Sequence, residues 1–240
     1  MLEWVTRPTL TELTGEFCRR LDALTGAIEG DCAVALTGGE SAAVFYDAWA
    51  AHGVGARLQF YWSDERVVAP TDPDSNYKLA SDHLLDPAEV AENRIHRAPT
   101  ELGPGACATA YAAEIRRRVA GRAGAAATPQ FPLIILGLGA DGHTGSLFPG
   151  RDPYNEDSLL VRAVEESSAH PHPRVTFTPQ LINAAVQVWF VITGAKKAWA
   201  VEQLAERRAT PEHVPALIAD PARTHVTLFA DTSSTGGRTF

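Results

Sequence analysis

Residues 132–150 read PLIILGLGADGHTGSLFPG and contain a strand followed by a glycine-rich loop. The apolar run Leu133–Leu138 has no polar side chain, which is typical of a strand covered on both faces of a sheet. Glycines at 137, 139 and 142 end this run, and Asp141 and His143 lie among them. In open α/β sheets, ligands bind beyond the carboxyl ends of the strands, so we expect this loop to carry chemistry.

Similar apolar runs recur along the chain and predict five more strands, at Cys32–Leu36, Arg57–Trp62, Leu159–Val164, Val188–Thr193 and Val226–Ala230. Helical spacing of apolar residues predicts helices between them, over Thr9–Ile28, Ser41–His52, Gly105–Ala120 and Ala195–Arg207. Two capping signals predict further helix starts, at Ser75-Asn76-Tyr77 and at Thr210-Pro211-Glu212. We expect loops at Thr100–Gly105 and at the alanine- and glycine-rich stretch Gly121–Pro129.

The order of these elements defines the expected fold class. Strands that alternate with helices form a mainly parallel sheet with helices on both faces. Neither predicted loop marks a change of composition large enough for a domain boundary. We therefore expect a single α/β domain over residues 1–240.

The composition excludes several classes of function. The 240 residues are 45% hydrophobic and 21% charged, a balance that supports an ordinary globular core. The net charge of −8 gives no general attraction for nucleic acid. Three widely spaced cysteines without a CxxC pair argue against a disulfide framework or a zinc site and fit a reducing compartment. No apolar run approaches the roughly 20 residues that span a bilayer, and no signal-peptide pattern is seen, so we expect a cytoplasmic protein without membrane or nucleic-acid partners.

The G-x-G-x-x-G spacing of residues 137–142 also matches a dinucleotide-binding fingerprint, but its context does not. That fingerprint opens a helix and has an acidic residue about 20 positions later, at the end of the next strand. Here only residues 144–148 separate the third glycine from Pro149, and Glu156 and Asp157 precede the next apolar run instead of ending it. We therefore reject a nicotinamide site.

A serine-hydrolase elbow and a metal site also fail at this loop. The elbow needs G-x-S-x-G, whereas Thr144 and Phe148 flank Ser146. His143 has no second and third metal ligand at usable spacing. What remains is Asp141 two residues before His143. Histidine shuttles protons near neutral pH and a carboxylate can orient its ring, although a turn aspartate beside an incidental histidine is the alternative.

A second strand-end loop, ALTGGES at residues 35–41, is a candidate anion site. Gly38 and Gly39 allow close backbone approach, and the free N–H groups of the following helix suit a phosphate. A plain tight turn explains two glycines about equally well. A carboxylate at Glu40 would repel a phosphate, so we expect its side chain to face solvent.

Basic residues follow two other predicted strands. Arg66 offers a fork of donors that suits a phosphate, although Asp64-Glu65-Arg66 also fits a solvated loop. Lys196 and Lys197 open a helix after a strand, where a bound anion would offset their unfavourable interaction with the helix dipole. Solvated helix positions are the alternative there, and Arg174 also fits a surface charge at a strand edge.

Taken together, these loops resemble the 6-phosphogluconolactonase family, which shares a superfamily with glucosamine-6-phosphate isomerase/deaminase. The matching stretches are LTGGES, WSDERVV with the following DSNY, LGLGADGHTGSLFPG, RVTFT and TGAKKA. The continuation Ser146-Leu147-Phe148-Pro149 is similar to the lactonase branch. Glu40 departs from the pattern, because the family usually has a small polar residue at this position.

The resemblance implies a Rossmann-like α/β fold and hydrolysis of 6-phospho-D-glucono-1,5-lactone to 6-phosphogluconate, in the oxidative pentose phosphate pathway. It implies a small sugar-phosphate lactone as the ligand and no metal or organic cofactor, and we expect a monomer or weak homodimer. His143 would act as the general base toward water and Asp141 would orient it. The substrate-binding residues that the resemblance implies are Thr37, Gly38, Gly39, Arg66, Gly139, Arg174 and Lys197.

Two rival interpretations use the same kind of scaffold. A glucosamine-6-phosphate isomerase/deaminase is the nearest. A sugar-phosphate sensor domain of a transcription regulator would need an appended DNA-binding element. Only about 30 residues precede the first predicted strand and they predict one helix, which is too little for helix-turn-helix plus linker, so we reject the sensor.

Overall fold

The computed structural model describes residues 1–119, 121, 128–151, 159–167 and 171–238. This part of the chain holds nine strands, namely β1 (Leu2–Arg7), β2 (Cys32–Leu36), β3 (Leu58–Trp62), β4 (Asp64–Arg66), β5 (Leu133–Gly137), β6 (Val161–Val164), β7 (Arg174–Phe177), β8 (Gln187–Ile192) and β9 (His225–Asp231). Its six α-helices are α1 (Leu10–Gly26), α2 (Glu40–His52), α3 (Asn76–Ala80), α4 (Pro104–Arg118), α5 (Pro179–Ala184) and α6 (Ala198–Glu206). Within these residues every helix is too short or too polar to cross a bilayer.

Six strands form one parallel sheet in the order β1-β9-β8-β5-β2-β3. The expected mainly parallel α/β fold is therefore confirmed. The chain proceeds from β2 to β3 on one side and then returns to place β5 on the other side of β2. Such a reversal of strand order leaves a crevice beyond the carboxyl ends of the two inner strands, which is where ligands bind in open α/β sheets.

Both faces of this sheet are buried. Successive side chains along a strand point to opposite faces, so each strand contributes to two cores. In β2, Val34 and Leu36 face a core formed with α1 and α2, whereas Ala35 faces the core formed with α4, α5 and α6. In β5, Leu133 and Ile135 belong to the first core and Ile134 to the second. The continuous apolar runs in the sequence follow from this double coverage.

Helix α1 illustrates how local signals fix one of the covering helices. Thr9 caps its N-terminus and shares a capping box with Glu12, which satisfies backbone N–H groups that have no partner inside the helix. The buried face of the helix presents Phe17, whose ring packs edge-on against four aromatic rings at centroid distances of 5.1 to 6.1 Å. Those rings are Phe45, Trp49, Trp189 and Phe229.

A second sheet of three antiparallel strands, β4-β7-β6, packs against the first and was not expected. Its shortest strand is the charged triplet Asp64–Arg66, for which a solvated loop was the alternative to a functional role. Asp64 and Glu65 are buried instead, at 5% and 3% exposure. Two carboxyl groups can be buried here because that of Asp64 accepts two hydrogen bonds and that of Glu65 accepts four.

Some sequence predictions about individual elements were wrong. The residues before Cys32 contain a strand as well as a helix, since β1 pairs in parallel with β9 at the sheet edge. No helix begins at Thr210-Pro211-Glu212; a turn there leads to a short 3-10 helix at Pro215–Ile218. The expected loop Thr100–Gly105 contains the 3-10 helix Thr100–Leu102 and the start of α4. Most of the expected loop Gly121–Pro129 lies outside the described residues.

The remaining sequence predictions agree with the structure to within a few residues at element ends. Helix α6 starts later than predicted because Ala195–Lys197 forms a 3-10 turn. Residues 143–151, which a dinucleotide fingerprint would place in a helix, form turns and isolated bridges. The helix that such a fingerprint would open is therefore not formed over these residues.

Candidate active site

Three loops meet beyond the carboxyl ends of the neighbouring strands β8, β5 and β2. Together they line a cavity of about 260 Å³, formed by Gly38, Gly39, Glu40, Ser41, Gly137, Leu138, Thr193 and Lys197. The loops after β2 and β8 are tied together, because Ser41 Oγ lies 2.9 Å from Thr193 Oγ1 and accepts the Thr193 N–H at 3.0 Å. The cavity lies at the crevice that the strand order predicts.

The loop after β2, here called the twin-glycine turn (residues 37–39), has a backbone that requires glycine. Gly39 has a φ of +97°, which side chains other than glycine rarely adopt. A Cβ on Gly38 would lie 1.9 Å from Oδ1 of Asn76. Helix α2 begins immediately afterwards, so its first backbone N–H groups are at the cavity and favour an anion.

Thr37 connects loops and does not line the cavity among the described residues. It is 2% exposed, and its backbone exchanges two hydrogen bonds with the Tyr46 hydroxyl. Its own hydroxyl accepts the N–H of Gly137 at 3.2 Å. The residue thus fixes the twin-glycine turn relative to the end of β5.

Lys197 is the cationic side chain of the cavity. It is half-buried, whereas its neighbour Lys196 is exposed and is not among the described residues that line the cavity. Burial lowers the pKa of Lys197, and the nearby carboxylates of Glu40 and Asp141 act in the opposite direction. Glu40 is exposed as expected, and it also lines the cavity. Its carboxylate therefore places a negative charge in the same cavity as the ammonium group of Lys197.

The loop after β5 holds Asp141 and His143 in direct contact, and we call residues 139–143 the catalytic turn after the role that the sequence predicts for His143. Nδ1 of His143 lies 2.6 Å from Oδ1 of Asp141, and the same oxygen accepts the backbone N–H of His143 at 3.1 Å. The hydrogen bond from the imidazole is the largest of the effects that lower the pKa of Asp141 to about 2. The His143 side chain is 30% exposed, so water can reach the pair.

Glycines shape the catalytic turn as well. A Cβ on Gly139 would lie 2.1 Å from Nδ1 of His143 and 2.5 Å from Oδ1 of Asp141, so any larger residue would displace the pair. Gly142 has a φ of +84°, and a Cβ there would meet Val214 at 2.9 Å. Gly139 also closes the turn by donating its N–H to the carbonyl of His143 at 2.8 Å.

Arg66 and Arg174 form a second cationic feature beside the catalytic turn. They occupy paired positions on β4 and β7, and within the described residues neither forms an ion pair. Both Nε atoms are buried without a hydrogen-bond partner among the same residues. Burial lowers the pKa of Arg174; Asp64 opposes this effect and Arg66 adds to it. Like charges at paired strand positions repel, and a bound anion would offset that repulsion.

The arginine pair is linked to the catalytic turn through Phe148. The Arg174 guanidinium carbon lies 5.5 Å from the Phe148 ring centroid, and that ring lies 5.0 Å from the His143 ring. Arg174 is therefore a buried residue at the site and not a surface charge at a strand edge. The structure brings Lys197 to the twin-glycine cavity and Arg66 to this separate pair.

Three buried polar residues connect these features and were not predicted as site residues, namely Asp64, Asn76 and Ser146. Ser146 Oγ donates to Asp64 Oδ2 at 2.8 Å, and Asn76 Nδ2 donates to the backbone oxygen of Asp64 at 2.9 Å. The only signal in the sequence is that all three belong to the loops already singled out. Among the described residues, no group of three His, Cys, Asp or Glu side chains is placed to hold a metal ion.

The fold and the site define an α/β protein that pairs a cationic cavity with an Asp–His turn at the ends of neighbouring parallel strands. A family profile described as "Glucosamine-6-phosphate isomerases/6-phosphogluconolactonase" matches residues 8–228. The chain belongs to this family.

Individual relatives agree with that membership. A 6-phosphogluconolactonase of Treponema pallidum is 37% identical over 169 residues, which cover 68% of each chain. A 6-phosphogluconolactonase of Synechocystis is 35% identical over 197 residues, covering 81% of this chain and 80% of its own. The solved structure of 6-phosphogluconolactonase from Trypanosoma brucei has the same fold, with a TM-score of 0.86 at 24% identity over 100% of this chain and 99% of that one.

Proposed function

We propose that this protein hydrolyses 6-phospho-D-glucono-1,5-lactone to 6-phospho-D-gluconate. The observation that carries the proposal is the contact between His143 and Asp141 in a loop that also borders the cationic cavity of Lys197. The names of the two relatives at 35% and 37% identity support the same activity.

The reaction needs a base, because water is a weak nucleophile toward the lactone carbonyl. With Nδ1 of His143 donating to Asp141, the neutral imidazole carries its lone pair on Nε2. Nε2 accepts a proton from the attacking water as the C1–O bond forms. Asp141 stabilises the imidazolium that results. The low pKa of Asp141 keeps this carboxylate ionised throughout the physiological range.

The tetrahedral intermediate then breaks the bond between C1 and the ring oxygen. His143 returns its proton to that oxygen, which becomes the C5 hydroxyl, and the new carboxylic acid ionises to the product carboxylate. Backbone N–H groups of the glycine-rich loops at the site are the donors that would stabilise the oxyanion. General acid–base help of this kind contributes about 10²- to 10⁴-fold to the rate.

The phosphate is the group that positions the lactone. We place it against the backbone N–H groups of Gly38 and Gly39 and of the first turn of α2, with Lys197 as its counter-charge. Arg66 and Arg174 add positive potential from the neighbouring sheet. Binding at this remote group holds the reacting carbon near His143, so that binding energy contributes to turnover.

This activity would place the protein in the oxidative pentose phosphate pathway. The three cysteines are buried and unpaired, which fits a reducing compartment such as the cytoplasm. We propose that residues 1–240 act as one catalytic domain. The family description also names glucosamine-6-phosphate isomerases, so amino-sugar-phosphate deamination is the second candidate.

One assay separates the two candidates. A lactonase hydrolyses freshly prepared 6-phosphogluconolactone faster than the lactone hydrolyses spontaneously, and the reaction releases a proton. A deaminase would instead release ammonia from glucosamine 6-phosphate. We expect the first activity, and we expect His143→Ala to lose about 10²- to 10⁴-fold of it while binding 6-phosphogluconate nearly normally. Ammonia release without lactone hydrolysis would refute the proposal.

A further inference from the structure

The antiparallel pair β4–β7 presents a polar face to the catalytic turn and its continuation. Residues two apart on a strand share a face, and Asp64 is paired with Thr176 while Arg66 is paired with Arg174. All four side chains therefore lie on one side of the pair. Burying such a face is costly unless each group has partners, so its contacts with the neighbouring loops require an explanation.

One oxygen of Asp64 holds the segment that follows His143. Oδ2 of Asp64 accepts the hydroxyl of Ser146 at 2.8 Å, and both residues are buried. The backbone N–H of Ser146 donates to Thr176 Oγ1 at 3.2 Å. Gly145 has a φ of +52°, and a Cβ there would lie 3.0 Å from the same Thr176 oxygen. Residues 145 and 146 are thus seated directly on β4 and β7.

The other side of Asp64 holds the residue that supports the twin-glycine turn. Asn76 Nδ2 donates to the backbone oxygen and to Oδ1 of Asp64, at 2.9 and 3.2 Å. These two acceptors fix the orientation of the carboxamide, so its oxygen must point the other way. That oxygen is buried against Gly38, at the position where a side chain on Gly38 would begin.

We propose that Asp64 is a positioning residue that sets the spacing between the catalytic turn and the twin-glycine turn. One carboxylate oxygen fixes the loop that carries His143, which activates the water that attacks the lactone carbon. The other oxygen fixes the support of Gly38, which contacts the phosphate. The proposal rests on the proposed function for the identity of the substrate, whereas the contacts themselves are independent of it.

The two halves of this link predict different kinetic defects. Ser146→Ala releases only the segment that follows His143. We expect kcat for the lactone to fall about ten- to a hundredfold, because misplacement of a catalytic group by about 1 Å costs up to about a hundredfold. KM should stay within about twofold of the wild-type value. Asn76→Ala removes the support of Gly38, so KM should rise more than kcat falls. Asp64→Asn disturbs both contacts and should show both defects.

Ser63→Ala is the matched control. Ser63 is fully buried beside Asp64, and its hydroxyl donates to the carbonyl oxygens of Leu36 at 2.9 Å and of Ile135 at 3.5 Å, both within strands of the parallel sheet. It should lower Tm about as much as Ser146→Ala and leave kcat and KM unchanged. If Ser146→Ala fails to fold, the difference between Asp64→Asn and Asn76→Ala isolates the kcat defect, because both variants disturb the support of Gly38 and only Asp64→Asn also disturbs the contact with Ser146.

A measurement without substrate keeps this test separate from that of the proposed function. The ring resonances of His143, followed by NMR, should shift in Ser146→Ala and in Asp64→Asn and stay in place in Ser63→Ala. Those shifts would support the positioning role even if the wild type did not hydrolyse the lactone. Wild-type kinetics and an unmoved His143 ring in both variants, with only a lower Tm, would overturn it.

Discussion

Nδ1 of His143 lies 2.6 Å from Oδ1 of Asp141, and among the described residues three other surface histidine–aspartate pairs have similar nitrogen–oxygen distances. His52 with Asp22, His83 with Asp47 and His172 with Asp74 have nitrogen–oxygen distances of 2.7 to 2.8 Å. An aspartate beside a histidine is therefore not a site by itself. The pair in the catalytic turn differs because it follows a central strand and borders a cavity with a half-buried lysine.

Replacing Asp141 by asparagine tests whether the carboxylate orients His143. The amide keeps the shape of the side chain but removes the negative charge that would stabilise an imidazolium. We expect kcat for lactone hydrolysis to fall about a hundredfold, the lower end for general acid–base help, because the pair is partly exposed. Initial rates, corrected for spontaneous hydrolysis, measure the effect.

Asp47→Asn is the matched control for that experiment. It makes the same chemical change in a pair with His83 at 2.8 Å that is similarly exposed and lies away from the cavity. Activity within about twofold of the wild type is expected, because exposed pairs contribute little. Equal losses in the two variants would show that the Asp141 effect is not specific to the site.

Gly139→Ala tests how tightly the catalytic turn is packed. The added Cβ would lie 2.1 Å from Nδ1 of His143, so the ring must move away from its position. We expect kcat to fall at least about a hundredfold, with a much smaller change in 6-phosphogluconate binding, since the proposed phosphate contacts lie elsewhere. Steady-state kinetics together with calorimetric titration of the product measure the two effects.

Gly105→Ala serves as the comparison for the same added methyl group. Gly105 lies in the first turn of α4, has no atom within 4 Å of a built Cβ, and has no left-handed φ. Its replacement should leave activity unchanged and keep or slightly raise stability, because alanine favours the helix. A fully active Gly139→Ala enzyme would exclude the observed position of His143 as the catalytic one.

How far the sequence predicted this structure depended on where each segment lies in the sheet. Strands buried on both faces, such as Leu133–Gly137, show continuous apolar runs that are readable without tertiary information. The edge strand Leu2–Arg7 alternates polar and apolar residues weakly and becomes a strand only by pairing with His225–Asp231. The charged strand Asp64–Arg66 has no local strand signal, because its burial depends on hydrogen bonds from residues 75–77 and 146.

The candidate site was predictable in its parts but not in its connections. Glycine-bearing strand ends indicated the loops at Gly38 and His143, since parallel strands bring their carboxyl ends to one edge. The choice between Lys196 and Lys197 depends on the phase of a 3-10 turn, which no local pattern fixes. The sequence could not show that Arg66 and Arg174 are paired, because β4 and β7 are more than 100 residues apart and no local pattern gives their register.

Removing the positive charge at position 197 should weaken substrate binding. Lys197→Met keeps the apolar part of the side chain and removes the charge from the cavity. A charge-assisted hydrogen bond to phosphate is worth about 1.5–3 kcal/mol, so KM should rise about ten- to a hundredfold with a smaller change in kcat. Lys196→Met, one residue away and exposed, should change neither constant by more than about twofold. The reverse ranking would assign the phosphate contact to Lys196.

The buried position of Lys197 also predicts how anion binding depends on pH. Burial lowers the pKa of Lys197, so the ammonium group loses its proton at a lower pH than an ordinary lysine. Sulfate, whose own charge stays constant, should therefore inhibit lactone hydrolysis strongly at neutral pH and more weakly as the pH rises through the pKa of this lysine. In Lys197→Arg the guanidinium remains protonated, and the inhibition constant should stay constant over the same range. Either of two results would exclude Lys197 as the group that binds the anion. In the first, the wild-type inhibition constant does not change up to the pH at which exposed lysines titrate. In the second, Lys197→Arg keeps the wild-type pH dependence.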